Sequence, residues 1–301
     1  MNKQLLQIKE NYQVDAKQIF DQLDISEGTR KDYQSRIGAF IGYVQKEGFN
    51  RDSFLNFKRQ LEQRADYTAA TKNKYLATAK VFLKELNRQG LLPTDITQNI
   101  KSFNQSKKHK RDGLTEDEIQ AISQKLQSLP ETAHNSRLKG IFSLLTLQGL
   151  RQVEITRLDV KDLDLVSKTA FVQGKGSSDK ELINLHPETV KNLISYLKAN
   201  KIGSGPLFVS RSNSSKNHRL TTRALRLITK NLLTKLDINK CIHGFRHYFT
   251  SMLIRTYKGD LLEVAQYTRH KSLEMLQVYN DNIKRQADLP RFYATFEGIN
   301  F

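Results

Sequence analysis

One stretch constrains this chain more than any other: QSKKHKRDG, residues 105–113. Lys107, Lys108, Lys110 and Arg111 crowd around His109, and no apolar side chain lies among them. Such a run has nothing to bury in a core, and it reads as a linker. It divides the 301 residues into 1–104 and 114–301, two stretches each long enough for its own core. The residues after it, LTEDE, open a new folding unit. Thr115 and Glu118 stand at the spacing of a helix capping box, with Leu114 placed as the staple.

Hydrophobic spacing fills in both units. Residues 29–48 put Tyr33, Ile37, Phe40, Ile41 and Val44 on one helical face, with Gly48 as the stop. Residues 51–64 and 71–90 follow the same pattern. In the latter, Tyr75, Ala79, Phe82, Leu83 and Leu86 share a face, while Lys72, Lys74, Lys80 and Lys84 lie elsewhere. The expectation is a small helical bundle with exposed cations. In the second unit the pattern predicts helices over 116–127 and 134–148. Two or three short strands follow between 159 and 185, with GKGSSD (174–179) at a hairpin tip. Helices return at 187–199, 221–235, 244–257, 260–268 and 272–279. LPRFYATF then reads as a separate short amphipathic segment after the helix-breaking Pro290. The fold class expected is mainly α with a small antiparallel β-sheet.

Charge narrows the partner. Lys and Arg number 49 against 31 Asp and Glu, a net charge of +18. That balance calls for a polyanion, either nucleic acid or an acidic membrane surface. No apolar run approaches the length of a bilayer span, and MNKQLLQIKENYQ lacks the apolar core of a signal peptide. Nucleic acid is therefore the expected partner, with no membrane. The single cysteine, Cys241, can form neither an internal disulfide nor a multi-cysteine zinc site, which fits a reducing cytoplasm. It reads as a small buried apolar residue.

Three places carry chemistry. HGFRH, residues 243–247, sits at the start of an apolar helix. It can be a solvated turn, a metal site or a phosphate pocket. His243 and His247 share a helix face as in HExxH zinc sites, but Gly244 stands where the catalytic Glu belongs and Arg246 lies beside them. A Cys241–His243 nucleophile pair lacks anything to lower the thiol pKa. His243 and Arg246 are three apart and face the same way, and the planar Arg fork suits two phosphate oxygens. In LLTLQGLRQVEITRL, Gly149 ends a helix, Arg151 follows at once, and Glu154 comes one turn later to orient it. An ordinary surface Arg fits that stretch equally well. In YTRHKSLEMLQVYND, His270 precedes Tyr279 on a helix that also carries Leu273, Leu276 and Val278; alone, Tyr279 reads as a core tyrosine.

Taken together and in this order, these elements resemble the tyrosine recombinase (phage integrase) family, in its Xer-like and Cre-like two-domain form. The resemblance covers the chain from about residue 113 onward and is most specific in HGFRHYFTSMLI and RHKSLEMLQVY. It implies a helical core-binding, DNA-clamping domain over 1–104, the basic linker 105–113 along the backbone, and an α+β catalytic domain over 114–301. It implies Arg151, Lys175, His243, Arg246 and His270 around a scissile phosphate, with Tyr279 as nucleophile and Glu154 supporting the first Arg. His243 would take the tyrosine proton, and Lys175 would protonate the leaving 5′-hydroxyl. Lys180 on the next strand is the alternative acid, and His247 is a structural neighbour. Attack gives a 3′-phosphotyrosyl link that conserves the bond without metal, ATP or cofactor. Two departures stand out: Arg269 where the family has Gly, and GKGSSDKE where the hairpin usually continues with Lys and Arg.

The implied function is site-specific cutting and rejoining of double-stranded DNA for integration or excision of a mobile element. The implied assembly is a homotetramer on two sites, served by an accessory directionality factor, with the FYATF tail on a neighbouring subunit or on its own domain. Resolution of plasmid or chromosome dimers, a non-cutting DNA-binding relative and a type IB topoisomerase are the alternatives.

Overall fold

The computed structural model describes residues 5–9, 12–105, 113–174, 176, 179–212, 216–270, 272–295 and 297–298. The chain separates into two compact units, Met1–Lys107 and Lys108–Phe301. Most of the linker read from the sequence, and Lys175 at the hairpin tip, lie outside the described residues.

The first unit opens with an element that periodicity did not announce. Strands β1 (Leu5–Lys9) and β2 (Tyr12–Asp15) pair antiparallel. Asp15 then caps a short helix α1 (Ala16–Asp21) by accepting from the Lys17 amide. Three longer helices follow: α2 (Glu27–Glu47), α3 (Ser53–Gln63) and α4 (Ala69–Arg88). Their starts are set by local chemistry. Ser26 accepts from the Thr29 amide at 3.2 Å, and Thr68 accepts from the Thr71 amide at 3.2 Å. The apolar faces merge into one core of Phe20, Ile37, Phe40, Phe54, Phe57 and Phe82. Burying side chains of this size contributes roughly 1.5–3 kcal/mol each, which holds the bundle together, with Lys74 and Lys84 among its exposed residues. Asn73 ties the chain after α4 back onto it, donating to Phe103 O at 2.9 Å and accepting from Phe103 N at 2.8 Å.

The second unit starts on α5 (Glu116–Gln127), with the reciprocal Thr115–Glu118 capping box in place. Helix α6 (Ala133–Leu147), the short α7 (Gln152–Arg157) and a three-stranded antiparallel sheet follow, in the order β3 (Leu163–Asp164), β4 (Thr169–Gln173), β5 (Lys180–Asn184). Alternation turns Ala170 and Val172 of β4 into the core. Helices α8 (Pro187–Asn200), α9 (Thr222–Lys235), α10 (His243–Thr256), α11 (Leu261–Thr268) and α12 (Leu273–Ala294) complete it. Among the described residues the architecture is mainly helical with one small antiparallel sheet in this unit.

One sequence reading needs correcting, and one element, the short helix α7 after Gly149, was not among the helices expected. Helix α12 does not stop near Tyr279 with a separate segment beyond Pro290: it continues through that proline to Ala294. Proline removes one backbone donor but its fixed φ suits a helix, and the following turn re-forms, with Thr295 N donating to Arg291 O at 3.2 Å.

Candidate active site

Helix α10 packs on α6, α11 and α12, and the candidate residues gather where these elements meet. The close approach begins at Gly149. Its φ is +57°, and a Cβ there would lie 2.2 Å from Phe249 Cδ1. Only glycine suits both the left-handed turn and the contact with α10. The turn aims Gly149 O at α10, where Arg246 Nη1 donates to it at 2.8 Å. Arg246 Nη2 donates to Thr268 O at the end of α11. One buried guanidinium, 3% exposed, thus clamps two helix ends together. Burial, then the charges of Arg151 and Arg269, lowers its pKa to about 9, so it remains cationic at neutral pH.

Arg151 caps α7, and Glu154 reaches back to it. Glu154 Oε1 accepts from Arg151 Nη1 at 2.8 Å, and Oε2 accepts from the Arg151 amide at 2.8 Å. The same Oε2 accepts from Arg269 Nη2 at 3.0 Å. Glu154 is only 1% exposed. Burial pushes its carboxyl up, but the Arg269 charge and the Arg151 hydrogen bonds outweigh this and hold it below the ordinary carboxylate range. Arg269 itself adopts φ +53°, the left-handed region that ends α11. The residue standing in place of the family's glycine therefore keeps the glycine conformation and adds a third guanidinium to the cluster.

His270 follows immediately. Its Nδ1 lies 2.7 Å from Thr268 Oγ1, and that hydroxyl donates to Val264 O at 2.8 Å. With its proton directed to Val264, Thr268 accepts from Nδ1–H, which leaves Nε2 as the acceptor nitrogen. Burial, then Arg246, Arg151, Arg269 and His243, brings His270 down to about 3. It is neutral in the free protein, and an anion entering among three guanidinium groups would favour its protonation.

Tyr279 sits beside a small cluster of Ile254, Val264 and Leu276, formed by α10, α11 and α12. Its hydroxyl meets His247 Nδ1, with the two rings 5.3 Å apart. His243, on the preceding turn, is exposed and packs edge-on against His247 at 4.6 Å. Burial raises the Tyr279 hydroxyl to about 12, opposed by the Arg246 charge. The sequence reading placed His243 opposite the tyrosine; here the direct neighbour is the next histidine one turn on. Lys180 is engaged elsewhere, in an ion pair with Asp162. Cys241 is half-buried. No group of three or more metal-ligating side chains occurs among the described residues.

Residues 112–286 match the family model described as the phage integrase family. The chain belongs to the phage integrase family. It is a tyrosine recombinase, an enzyme class that cleaves and rejoins DNA at specific sites. Among curated relatives, tyrosine recombinase XerC of Lactobacillus delbrueckii subsp. bulgaricus is 27% identical over 257 residues, 83% of each chain. Tyrosine recombinase XerD of Oceanobacillus iheyensis is 26% identical over 290 residues, covering 90% of this chain and 93% of that one. The recombinase also shares its fold with the XerH site-specific recombinase in a post-cleavage complex with palindromic difH substrate (TM-score 0.72, 17% identity, 87% of this chain and 79% of that one). A lambda integrase dimer bound to a COC′ core site gives a TM-score of 0.64 at 16% identity, over 89% of this chain and 76% of that one.

Arg151, His243, Arg246, His270 and Tyr279 therefore converge in the recombinase from two helices, α10 and α12, and two turns, those before α7 and after α11. Sequence reasoning did not anticipate the Tyr279–His247 contact or the bond from Arg269 to Glu154. The signal for the first was the four-residue spacing of His243 and His247; for the second, a cation where a turn prefers glycine.

Proposed function

We propose that the recombinase cuts DNA through Tyr279, forming a 3′-phosphotyrosyl intermediate, with Arg151, Arg246 and His270 holding the scissile phosphate. The observation that carries this is the gathering of a tyrosine hydroxyl with a guanidinium cluster to which, among the described residues, Glu154 is the bonded carboxylate. A phosphodiester under attack gains charge on its non-bridging oxygens, and preorganised cations in a partly buried site stabilise that charge. His243, at the exposed start of α10, is a further donor to the phosphate and a path for the tyrosine proton to solvent. Lys175 supplies the proton for the leaving 5′-hydroxyl, with Lys180 as the alternative acid.

The substrate is double-stranded DNA, the class bound by the XerH and lambda integrase relatives. The cationic helical unit, with the KKHKR linker, tracks the backbone, as the +18 net charge favours. Exchange of four strands calls for a homotetramer on two sites, and the biological role is integration or excision of a mobile element in the cytoplasm, with an accessory factor setting direction. No described helix is long and apolar enough to cross a membrane.

Adduct capture tests the reading. Duplexes bound from host and mobile-element DNA are incubated with the wild type and with Tyr279→Phe, then resolved on denaturing gels. A protease-sensitive covalent band from the wild type alone is expected. A band from both moves the nucleophile to Tyr267 or Tyr248. Tight binding without a band, even on a nicked duplex, favours the non-cutting alternative. The DNA end in the band maps the site: two unlike sites signify integration, one repeated site signifies resolution.

A further inference from the structure

We infer that His247, which the family resemblance leaves as a structural neighbour, is the group that orients the Tyr279 hydroxyl and takes its proton during strand cleavage. This rests on Tyr279 being the nucleophile. The geometry is specific. Nδ1 of His247 is in direct contact with the Tyr279 hydroxyl, and its ring packs against the rings of Tyr279 and His243. His247 is 7% exposed. A Cβ on Gly113 would stand 3.0 Å from His247 Cβ, so the chain entering α5 presses on it. That approach is locked by Leu114 N donating to Gly244 O at 3.3 Å. Next to the ring, exposed His243 packs edge-on and leads to solvent.

The balance of the step is as follows. The Tyr279 Oη–P bond forms and the P–O5′ bond breaks. The phenolic proton passes to His247 Nδ1, which requires the Nε2–H tautomer beforehand. The 5′-oxygen takes its proton from the separate leaving-group acid. A base is needed because burial holds Tyr279 at about 12, and roughly one molecule in 10⁵ would carry tyrosinate at pH 7 unaided. The charged groups facing this corner are Arg246 and His243 on the same helix and, in the adjoining cleft of about 470 Å³, Lys240, Arg255, Glu116 and Asp117. Arg255 and Glu116 pair with each other at 2.8 Å, so they largely cancel.

The test uses the full chain and a nicked suicide duplex carrying the site recovered by adduct capture. Asn places an amide where Nδ1 stands, Gln where Nε2 stands, and Leu places neither. Single-turnover adduct formation by His247→Leu should fall ~10²-fold, the usual scale of a positioned base, with DNA affinity unchanged. Its rate should climb about tenfold per pH unit where the wild type levels off, because hydroxide now does the work. His247→Asn should outpace His247→Gln. On a duplex with sulfur at the bridging 5′ position, whose thiolate leaves without a proton, the deficit should persist.

A wild-type rate and pH profile in His247→Leu would overturn the inference. So would loss of the deficit on the sulfur-bridged duplex, which would assign His247 to the leaving group. If Leu prevents folding, the Asn and Gln pair decides: equal rates overturn it. Adducts that survive Tyr279→Phe would defeat the nucleophile reading itself; wild-type adducts indifferent to His247 defeat only this inference.

Discussion

Arg269 offers a measurement in which two opposed terms can be separated. Its backbone sits at φ +53°, where a side chain costs about 1–2 kcal/mol relative to glycine. The looser unfolded state of a glycine chain offsets roughly 0.4–1 kcal/mol of that, leaving Gly about 1 kcal/mol ahead of Ala at this position. Against this stands the ion pair with Glu154 at 3.0 Å, its two side chains 8% and 1% exposed. Breaking a buried pair costs ~3–5 kcal/mol, but Glu154 keeps two hydrogen bonds from Arg151, so about 2 kcal/mol is expected. Arg269→Ala loses the pair and keeps the strain: about 2 kcal/mol less stable. Arg269→Gly loses the pair and the strain: about 1 kcal/mol less stable. Calorimetry of the full chain should show the catalytic unit melting roughly 4–8 °C lower for Ala and roughly 2–4 °C lower for Gly. Gly at or above the wild type would mean the pair contributes no more than the strain it offsets, about 1 kcal/mol. Gly below Ala would mean the left-handed turn is not where the strain lies. The pH course adds a check. Glu154 is held below its ordinary value near 4.5, so its contribution is complete above that value and fades as pH falls through the folded one. The gap between wild type and Ala should shrink in acid.

Three further outcomes follow from the site. Gly149→Ala should destabilise the catalytic unit by about 3 kcal/mol, from left-handed strain plus overlap with Phe249, read as a lowered urea midpoint. Arg246→Lys cannot reach both Gly149 O and Thr268 O; leaving a buried carbonyl unmet costs about 1–3 kcal/mol, and adduct formation should drop at least ~10²-fold while DNA is still bound. His270, brought down to about 3, should show a flat imidazole NMR shift from pH 5 to 8 in the free protein. Because its folded pKa is depressed, stability should decline as pH drops below its ordinary 6.5, where unfolding lets it bind a proton; an NMR midpoint near 6.5 would show that the three guanidinium groups do not surround it.

Much of this was readable from local pattern. The helices of both units follow spacings such as Ile37, Phe40, Ile41 and Val44, since one buried face must repeat every three to four residues. The capping box at Thr115 and Glu118 stands where two polar residues three apart announce a helix start. The N-terminal hairpin was missed because two strands of five and four residues carry too little alternation to stand out. The segment beyond Pro290 was set apart from α12 because proline is read as a stop, although its fixed φ permits a helix to pass through.

The motifs HGFRHYFTSMLI and RHKSLEMLQVY and the order of Arg, His, Arg, His and Tyr were enough for the resemblance to the family, which supplied the chemistry; residue types and net charge alone left Arg151 as an ordinary surface residue and Tyr279 as a core tyrosine equally open. Which histidine touches Tyr279, and that Arg269 shares Glu154 with Arg151, came only from the folded chain. Those partners are 32 and 115 residues apart, and they meet only because α12 crosses α10 and the end of α11 comes to rest against α7. Local spacing sets which side chains share a face; it carries no information about which two faces packing brings together.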